Sequence, residues 1–287
     1  MPKTLAKPNS SSSLLEKLNG NYEIRPFPRV VQQLSAALKN SEVKVDEVAR
    51  IIEADAALAS RILRMANSPV FSISREVQTV EHAAVVLGLS RLKNLSNTLA
   101  AAAMFSGQNE SAEYRRQLWD HSLACATMGR LIAKQTPAVK PDDAFLAGVF
   151  HDVGQLFFLD VCFEEYMQLK SGSFGTELVE LERQQFGMSH QEVGVKLATA
   201  WQLPESIMVV AGFHHEPDNS IAHQDLTYLV HLANSLVHYA GIGSDAVPNT
   251  PIQSDVCERL KLNMLELEPL LEKAREEFVE IQNIYQS

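Results

Sequence analysis

Cysteine is scarce: Cys125, Cys162 and Cys257 are the only three in 287 residues, far apart and never in a Cys-x-x-Cys pair. That excludes a disulfide framework and a thiolate zinc knuckle, and it points to a reducing cytoplasm. Also missing is an apolar run of the ~20 residues needed to cross a bilayer, or the apolar stretch of a secretory signal after Met1-Pro2-Lys3. The expectation is a protein neither inserted nor exported. Basic charge is in deficit, with 25 Lys+Arg against 35 Asp+Glu for a net charge of −10. A phosphate backbone or an anionic bilayer is therefore disfavoured as a partner, although a local basic patch stays open. Finally, there is no pair of alternating strands around an Asn-Gly turn and no repeat of 20–50 residues. With 46% hydrophobic and 21% charged residues the chain has enough apolar side chains for a core, at a length of one large domain or two small ones.

Helical periodicity is what remains, and it predicts an all-α fold of ten or more helices. Residues 1–13 are Ser-rich and polar and read as a flexible tail, with the folded part starting near Leu14. Val48, Ile51 and Ile52, then Leu58, Ile62, Leu63 and Ala66, recur every three or four residues on two helices separated near Asp55, which can cap the second. Asn67-Ser68-Pro69 ends it. Thr79 can cap a helix stopping at Gly88, and Ser90 the next, which runs into Ala100–Ala103. Ser106-Gly107-Gln108-Asn109 is the strongest internal breaker, so 14–108 and 109–241 form two helical parts, followed by C-terminal helices over 242–287. In the second part, helices are expected over Glu113–Gln135 and Asp142 to about Asp160. A capping box at Ser189-His190-Gln191-Glu192 opens another to about Trp201. Pro204 begins one that ends near His214, and Asp225 caps one that ends at Gly241. Leu260 to Phe278 reads as one or two amphipathic helices with a solvated charged face.

Eight of the nine histidines lie between His121 and His238. His121 follows Asp120, His151 precedes Asp152, His190 sits at a helix start, and His214-His215 precedes Glu216. Imidazole and carboxylate together suit Zn, Fe, Mn or Ni, and separated segments of a helical bundle can converge on one cavity. Taken singly, His190 is better explained as a capping or surface residue than as a ligand, and His214-His215-Glu216 is open to reading as a polar loop. His82, His223 and His238 read as solvated or packing residues. The pair His151-Asp152 differs because Ala144–Phe158 is otherwise strongly apolar, and ionisable groups buried there need a partner or a metal.

His121 followed by the apolar His151-Asp152-Val153-Gly154 turn resembles the signature of the HD superfamily of metal-dependent phosphohydrolases, and His190 and His214-His215 fall where the HD-GYP branch has further metal-binding histidines. Phe27-Pro28, Ile52 through Ala59, Leu63 through Ser68 and Val86-Leu87-Gly88 are similar to the HDOD domain, an HD-related output domain of bacterial signalling proteins. The resemblance covers about residues 20–240. It implies a helical fold of HD type with an additional N-terminal helical part. It also implies one or two divalent metal ions on His121, His151, Asp152, His190, His214 and His215, and in active relatives a metal-activated water that attacks a phosphoester with Asp152 in the catalytic role.

Three departures bear on activity. Asn234 stands where active relatives carry an aspartate ligand, Gln155 where HD-GYP enzymes carry a lysine, and Glu216-Pro217-Asp218-Asn219 where Gly-Tyr-Pro is expected. The amide is a poorer ligand, and a cation that could hold substrate phosphate is missing. The expectation is a signalling domain acting on a partner protein in trans, with a partly retained metal site and no cyclic-dinucleotide phosphodiesterase activity. The second reading is a metal-dependent phosphohydrolase of a nucleotide or other small phosphoester, and metal-free decay of the site is equally allowed. Nucleic-acid binding would rest only on Arg61, Arg64, Arg91 and Lys93, which solvated helix faces explain better.

Overall fold

The computed structural model describes residues 26–40, 42–68, 76–244, 247, 250 and 252–286, so the expected tail at 1–13 and the start near Leu14 lie outside the described residues. Among these residues there are helices and no strands. The N-terminal part holds α1 (Arg29–Ala37), α2 (Val45–Glu53), α3 (Ala56–Ala66), α4 (Val80–Leu87) and α5 (Leu89–Phe105). Asp55 caps α3 by accepting from the Leu58 amide at 3.0 Å, and Thr79 caps α4 by accepting from the His82 amide at 3.0 Å. Ser90, expected as a cap, instead lies inside α5, whose boundary residue is Gly88 at φ +80°. A φ of that sign needs no side chain, so one glycine both ends α4 and opens α5. Val48, Ile52, Ile62 and Leu34 are fully buried where α1 to α5 meet.

The second part is α6 (Ala112–Ala133), α7 (Pro141–Phe150), α8 (Gln155–Val161), α9 (Phe163–Lys170), α10 (Gly175–Phe186), α11 (His190–Ala200), α12 (Glu205–Phe213) and α13 (Gln224–Ala240). α14 (Ser254–Arg259) and α15 (Leu267–Gln286) follow. α6 is the axis: every residue from Leu118 to Ala133 is buried, because α7, α13 and α15 cover it on different sides. Gly148 permits the closest of these approaches, since a Cβ there would stand 2.5 Å from the Ala126 Cα.

Three expected boundaries are corrected. The helix over 142–160 is two helices, broken by a turn at 151–154. Its apolar sequence gave no breaker except Gly154, whose role is set by a tertiary contact described below. Pro141–Val161 is also long and apolar enough by composition for a membrane span, yet 83% of that window is buried inside the protein. Pro204 is the residue before α12 rather than its first residue. α13 is opened by His223 in the left-handed region at φ +51°, with Asp225 in its first turn and making no cap hydrogen bond. The stretch Leu260–Phe278, expected as one or two helices, holds a short 3-10 turn at Met264–Glu266 and then α15, which starts at Leu267 and packs on α6.

Candidate metal centre and its pocket

The turn between α7 and α8 exists because Gly154 lies against the start of α11. A Cβ on Gly154 would stand 1.9 Å from the His190 carbonyl oxygen and 2.7 Å from the Gly194 amide nitrogen. Only glycine allows that contact, and it brings His190 to face Asp152. The capping box fixes the other side: Ser189 Oγ accepts from the Glu192 amide at 3.4 Å and Glu192 Oε2 accepts from the Ser189 amide at 2.7 Å.

Asp152 is the hub. Its Oδ2 lies 3.3 Å from His151 Nε2 and 3.7 Å from His121 Nε2, and its Oδ1 lies 3.3 Å from His190 Nε2 and 3.4 Å from His214 Nε2. His121 sits midway along α6, while His214 and His215 follow α12. Asp152, His190, His214 and His215 form one group with mutually close donor atoms, and His121, His151 and Asp152 a second, so the two share one carboxylate. Sequence reasoning named all six. Asn234 lies on α13, buried, with its Oδ1 lacking a hydrogen-bond partner.

The buried His121 Nε2, His151 Nε2, His190 Nε2, His214 Nε2 and Asp152 Oδ1 have no hydrogen-bond partner of proper geometry. Orphaned acceptors and donors at this density are costly unless something occupies the space between them. Atoms held at about 2.1 Å around one cation stand about 3.0–3.4 Å from one another, the spacing seen around Asp152. The residues present therefore fit a divalent ion.

Neighbouring groups hold the imidazoles in place. His151 Nδ1 lies 2.7 Å from the Gly148 carbonyl, and His190 Nδ1 lies 2.7 Å from Glu182 Oε2, which also accepts from the His190 amide at 2.7 Å. Glu182 is itself fully buried and receives the Tyr166 hydroxyl on Oε1 at 3.0 Å. His214 Nδ1 faces the Val210 and Ala211 carbonyls at 3.2 Å, and His231 Nδ1 lies 2.7 Å from the His214 carbonyl. For His151, His190 and His214 the outer nitrogen is engaged and Nε2 faces Asp152, as metal-ligating histidines require, whereas both ring nitrogens of His121 lack a partner.

Burial resists charge on all these groups, and local partners decide the result. Asp152 falls well below the usual carboxylate range despite its burial, because His151 and His214 hold its charge, and His151 rises well above the usual histidine range beside Asp152. His190 rises through Glu182. His214 is lowered to about 4 and His215 well below its ordinary value, chiefly by burial, leaving both neutral and able to donate a lone pair at neutral pH.

A cavity of about 650 Å³ opens onto the centre, lined by His121, Asp152, His215 and His238 at its base, with Gln155, Lys170, Arg116, Tyr114 and Phe174 among its walls. Two of these were missed from the sequence. His238, read as a solvated or packing residue, stacks on His121 with ring centroids 4.5 Å apart and shares the cavity. Its helical spacing on α13 carries no hint of this, because the contact depends on how α13 crosses α6. Lys170 corrects the expectation that a cation is missing, since it reaches the cavity from α9 and its Nζ donates to Gln155 Oε1 at 2.5 Å. Among the residues considered for nucleic acid, Arg91 is paired with Asp142 at 2.9 Å.

The family model for the HDOD domain matches residues 24–217, and the chain belongs to that family. An uncharacterised protein of Treponema pallidum (strain Nichols) is 24% identical over 221 residues, covering 76% of this chain and 42% of that protein, so the chain spans under half the length of this curated relative. A solved HDOD domain protein from Geobacter sulfurreducens is 26% identical with a TM-score of 0.75, covering 96% of this chain and 97% of that one. A candidate signal transduction protein from Marinobacter aquaeolei VT8 shares the fold at 19% identity and a TM-score of 0.75, covering 99% of this chain and 62% of the other.

Proposed function

We propose that this protein is a signal-transduction domain of HDOD type whose His/Asp centre binds one or two divalent ions of Fe, Mn, Zn or Ni. The reading extends to a partner protein acted on in trans within a reducing cytoplasm. The observation that carries it is the ring of inward-facing, unsatisfied imidazole nitrogens around Asp152. His121, His151, Asp152, His190, His214 and His215 are the proposed ligands, with the Asn234 carbonyl as a weaker one. A bound divalent ion would lower the pKa of a water and offset charge on phosphoryl oxygens. Support for sensing over cyclic-dinucleotide cleavage comes from Asn234 in place of an aspartate, Gln155 in place of a lysine, and Glu216 to Asn219 in place of Gly-Tyr-Pro. The kinship with the Marinobacter protein supports the signalling assignment through its name alone.

A second reading, a metal-dependent phosphohydrolase of a nucleotide or other small phosphoester with Asp152 catalytic, is favoured by the cavity that leads directly to Asp152. Elemental analysis of untagged protein purified without chelator tests the shared premise. The expectation is near-stoichiometric metal in the wild type and none in Asp152→Ala, with Asn234→Asp binding more tightly. Equal metal content in wild type and Asp152→Ala would refute the centre. Cyclic-dinucleotide turnover by the loaded wild type would refute the sensing assignment, and turnover of a mononucleotide would decide for the hydrolase.

A further inference from the structure

Two cations line the cavity, and only one is neutralised by contact. Arg116 is held by Glu113 at 2.6 Å and by Asp120 at 3.1 Å. Lys170, at the last position of α9, is half-buried and donates only to the neutral carboxamide of Gln155. Among the described residues, no carboxylate lies within ion-pair distance of its ammonium. Gln155 is buried in the first turn of α8, three residues after Asp152, so the amide anchors the ammonium beside the His/Asp centre.

A half-buried ammonium facing a neutral partner loses hydration that a neighbouring amide restores only in part, and an entering anion recovers the rest. The negative charges nearest to it, Asp152 and Glu182, are committed to the histidines around them. A cation bound at Asp152 would take up more of that negative charge. Lys170 would then be the more in need of an anion from solution.

The mouth of the same cavity has a different character. Phe174 and Tyr114 line it and remain 50% and 38% exposed. Exposed aromatic faces beside a buried cation suit a ligand with a planar apolar end and an anionic end, and about 650 Å³ is room for a ligand of nucleotide size.

We infer that Lys170, positioned by Gln155, is the phosphoryl-holding subsite of this pocket, and that the ligand is a nucleoside phosphate whose base rests on Phe174 and Tyr114. This deepens the reading of the centre as a ligand-sensing site and rests on that reading for the place of Asp152. An ammonium thus stands beside position 155, supplied by α9 and anchored by Gln155.

The test is calorimetric titration of the full chain with inorganic phosphate and with AMP, once after chelator treatment and once after reloading with Zn²⁺, with metal content measured on every sample. Wild type is expected to bind both probes, AMP more tightly. Lys170→Gln should weaken both about tenfold or more with metal content unchanged, as loss of a charge-assisted contact does. Lys170→Arg should keep most of the affinity. The exchange variant Gln155→Lys with Lys170→Gln returns an ammonium to the same contact and should recover binding, whereas Lys170→Gln alone keeps a hydrogen-bond donor to Gln155 without the charge, so that its loss of binding with unchanged unfolding temperature separates the charge from a structural role. No phosphate binding by wild type in either state, wild-type affinity in Lys170→Gln, or no recovery in a folded exchange variant would each overturn the subsite. AMP bound no tighter than phosphate, or unaffected by Phe174→Ala, would overturn the nucleoside part. Absence of metal would refute the centre, while the dependence on Lys170 in chelator-treated protein would still decide the inference.

Discussion

Glu182 does more for the centre than its place on α10 would indicate. One carboxylate oxygen takes both the ring and the backbone N–H of His190, and the other takes the Tyr166 hydroxyl, all in full burial. It fixes which His190 nitrogen faces Asp152 and raises the basicity of that ligand. Glu182→Gln is therefore expected to lower metal affinity about 10–100-fold, as removal of an outer partner of a ligating histidine does. Chelator competition at fixed pH measures it, and unchanged affinity would mean that the hydrogen bond does not tune the ligand. No sequence motif announced Glu182, since a glutamate in Leu-Glu-Arg-Gln reads as a solvated helix face. His151 and Asp152 were legible because ionisable groups in apolar company are rare, and His121, His190, His214 and His215 through the resemblance to the family.

At the scale of elements, the break between α7 and α8 places His151 and Asp152. Gly154→Ala would drive a methyl into the His190 carbonyl, so α11 must move away and the centre opens. A loss of about 3 kcal/mol is expected, the upper end for overpacking, together with weaker metal binding. Thermal unfolding with and without Zn²⁺ reads both. The opening of α11 carries a separate prediction. Burial alone would raise the Glu192 pKa, but the Ser189 amide and hydroxyl and Arg183 bring it below the ordinary glutamate value. A depressed folded-state pKa contributes stability above the unfolded pKa of about 4.3, and that contribution is lost as pH falls through the lower folded value. Ser189→Ala should cost about 1 kcal/mol at pH 7, and less below pH 4. Urea midpoints at the two pH values check this, and a cost independent of pH would exclude Glu192 as the partner. The caps at Asp55, Thr79 and Ser189 were all visible in the sequence, because a cap is a local hydrogen bond.

Across the whole molecule, one buried cation joins the two helical parts. Arg115 is 1% exposed, donates to the Met104 carbonyl at the end of α5 at 3.1 Å and to Ser111 Oγ at 3.1 Å, and pairs with Asp160 on α8. It thereby ties the breaker at 106–109 to the helix that follows the His-Asp turn. Asp160→Ala would leave a buried guanidinium without its counter-charge, and a loss of about 3–5 kcal/mol is expected. Denaturant unfolding measures it; a cost under about 1 kcal/mol would mean that Met104 and Ser111 suffice.

The sequence by itself determined the all-α class, most helix ends, the family, and Asp152 with the five histidines that converge on it, because periodicity, caps and motif residues are written in local order. Tertiary structure decided the rest. Gly154 becomes a helix break only when α11 lies against it, His238 joins the pocket only when α13 crosses α6, and Lys170 meets Gln155 only when α9 folds back over α8. Each is a contact between residues distant along the helical pattern. Its energy depends on how whole helices pack, which periodicity does not encode.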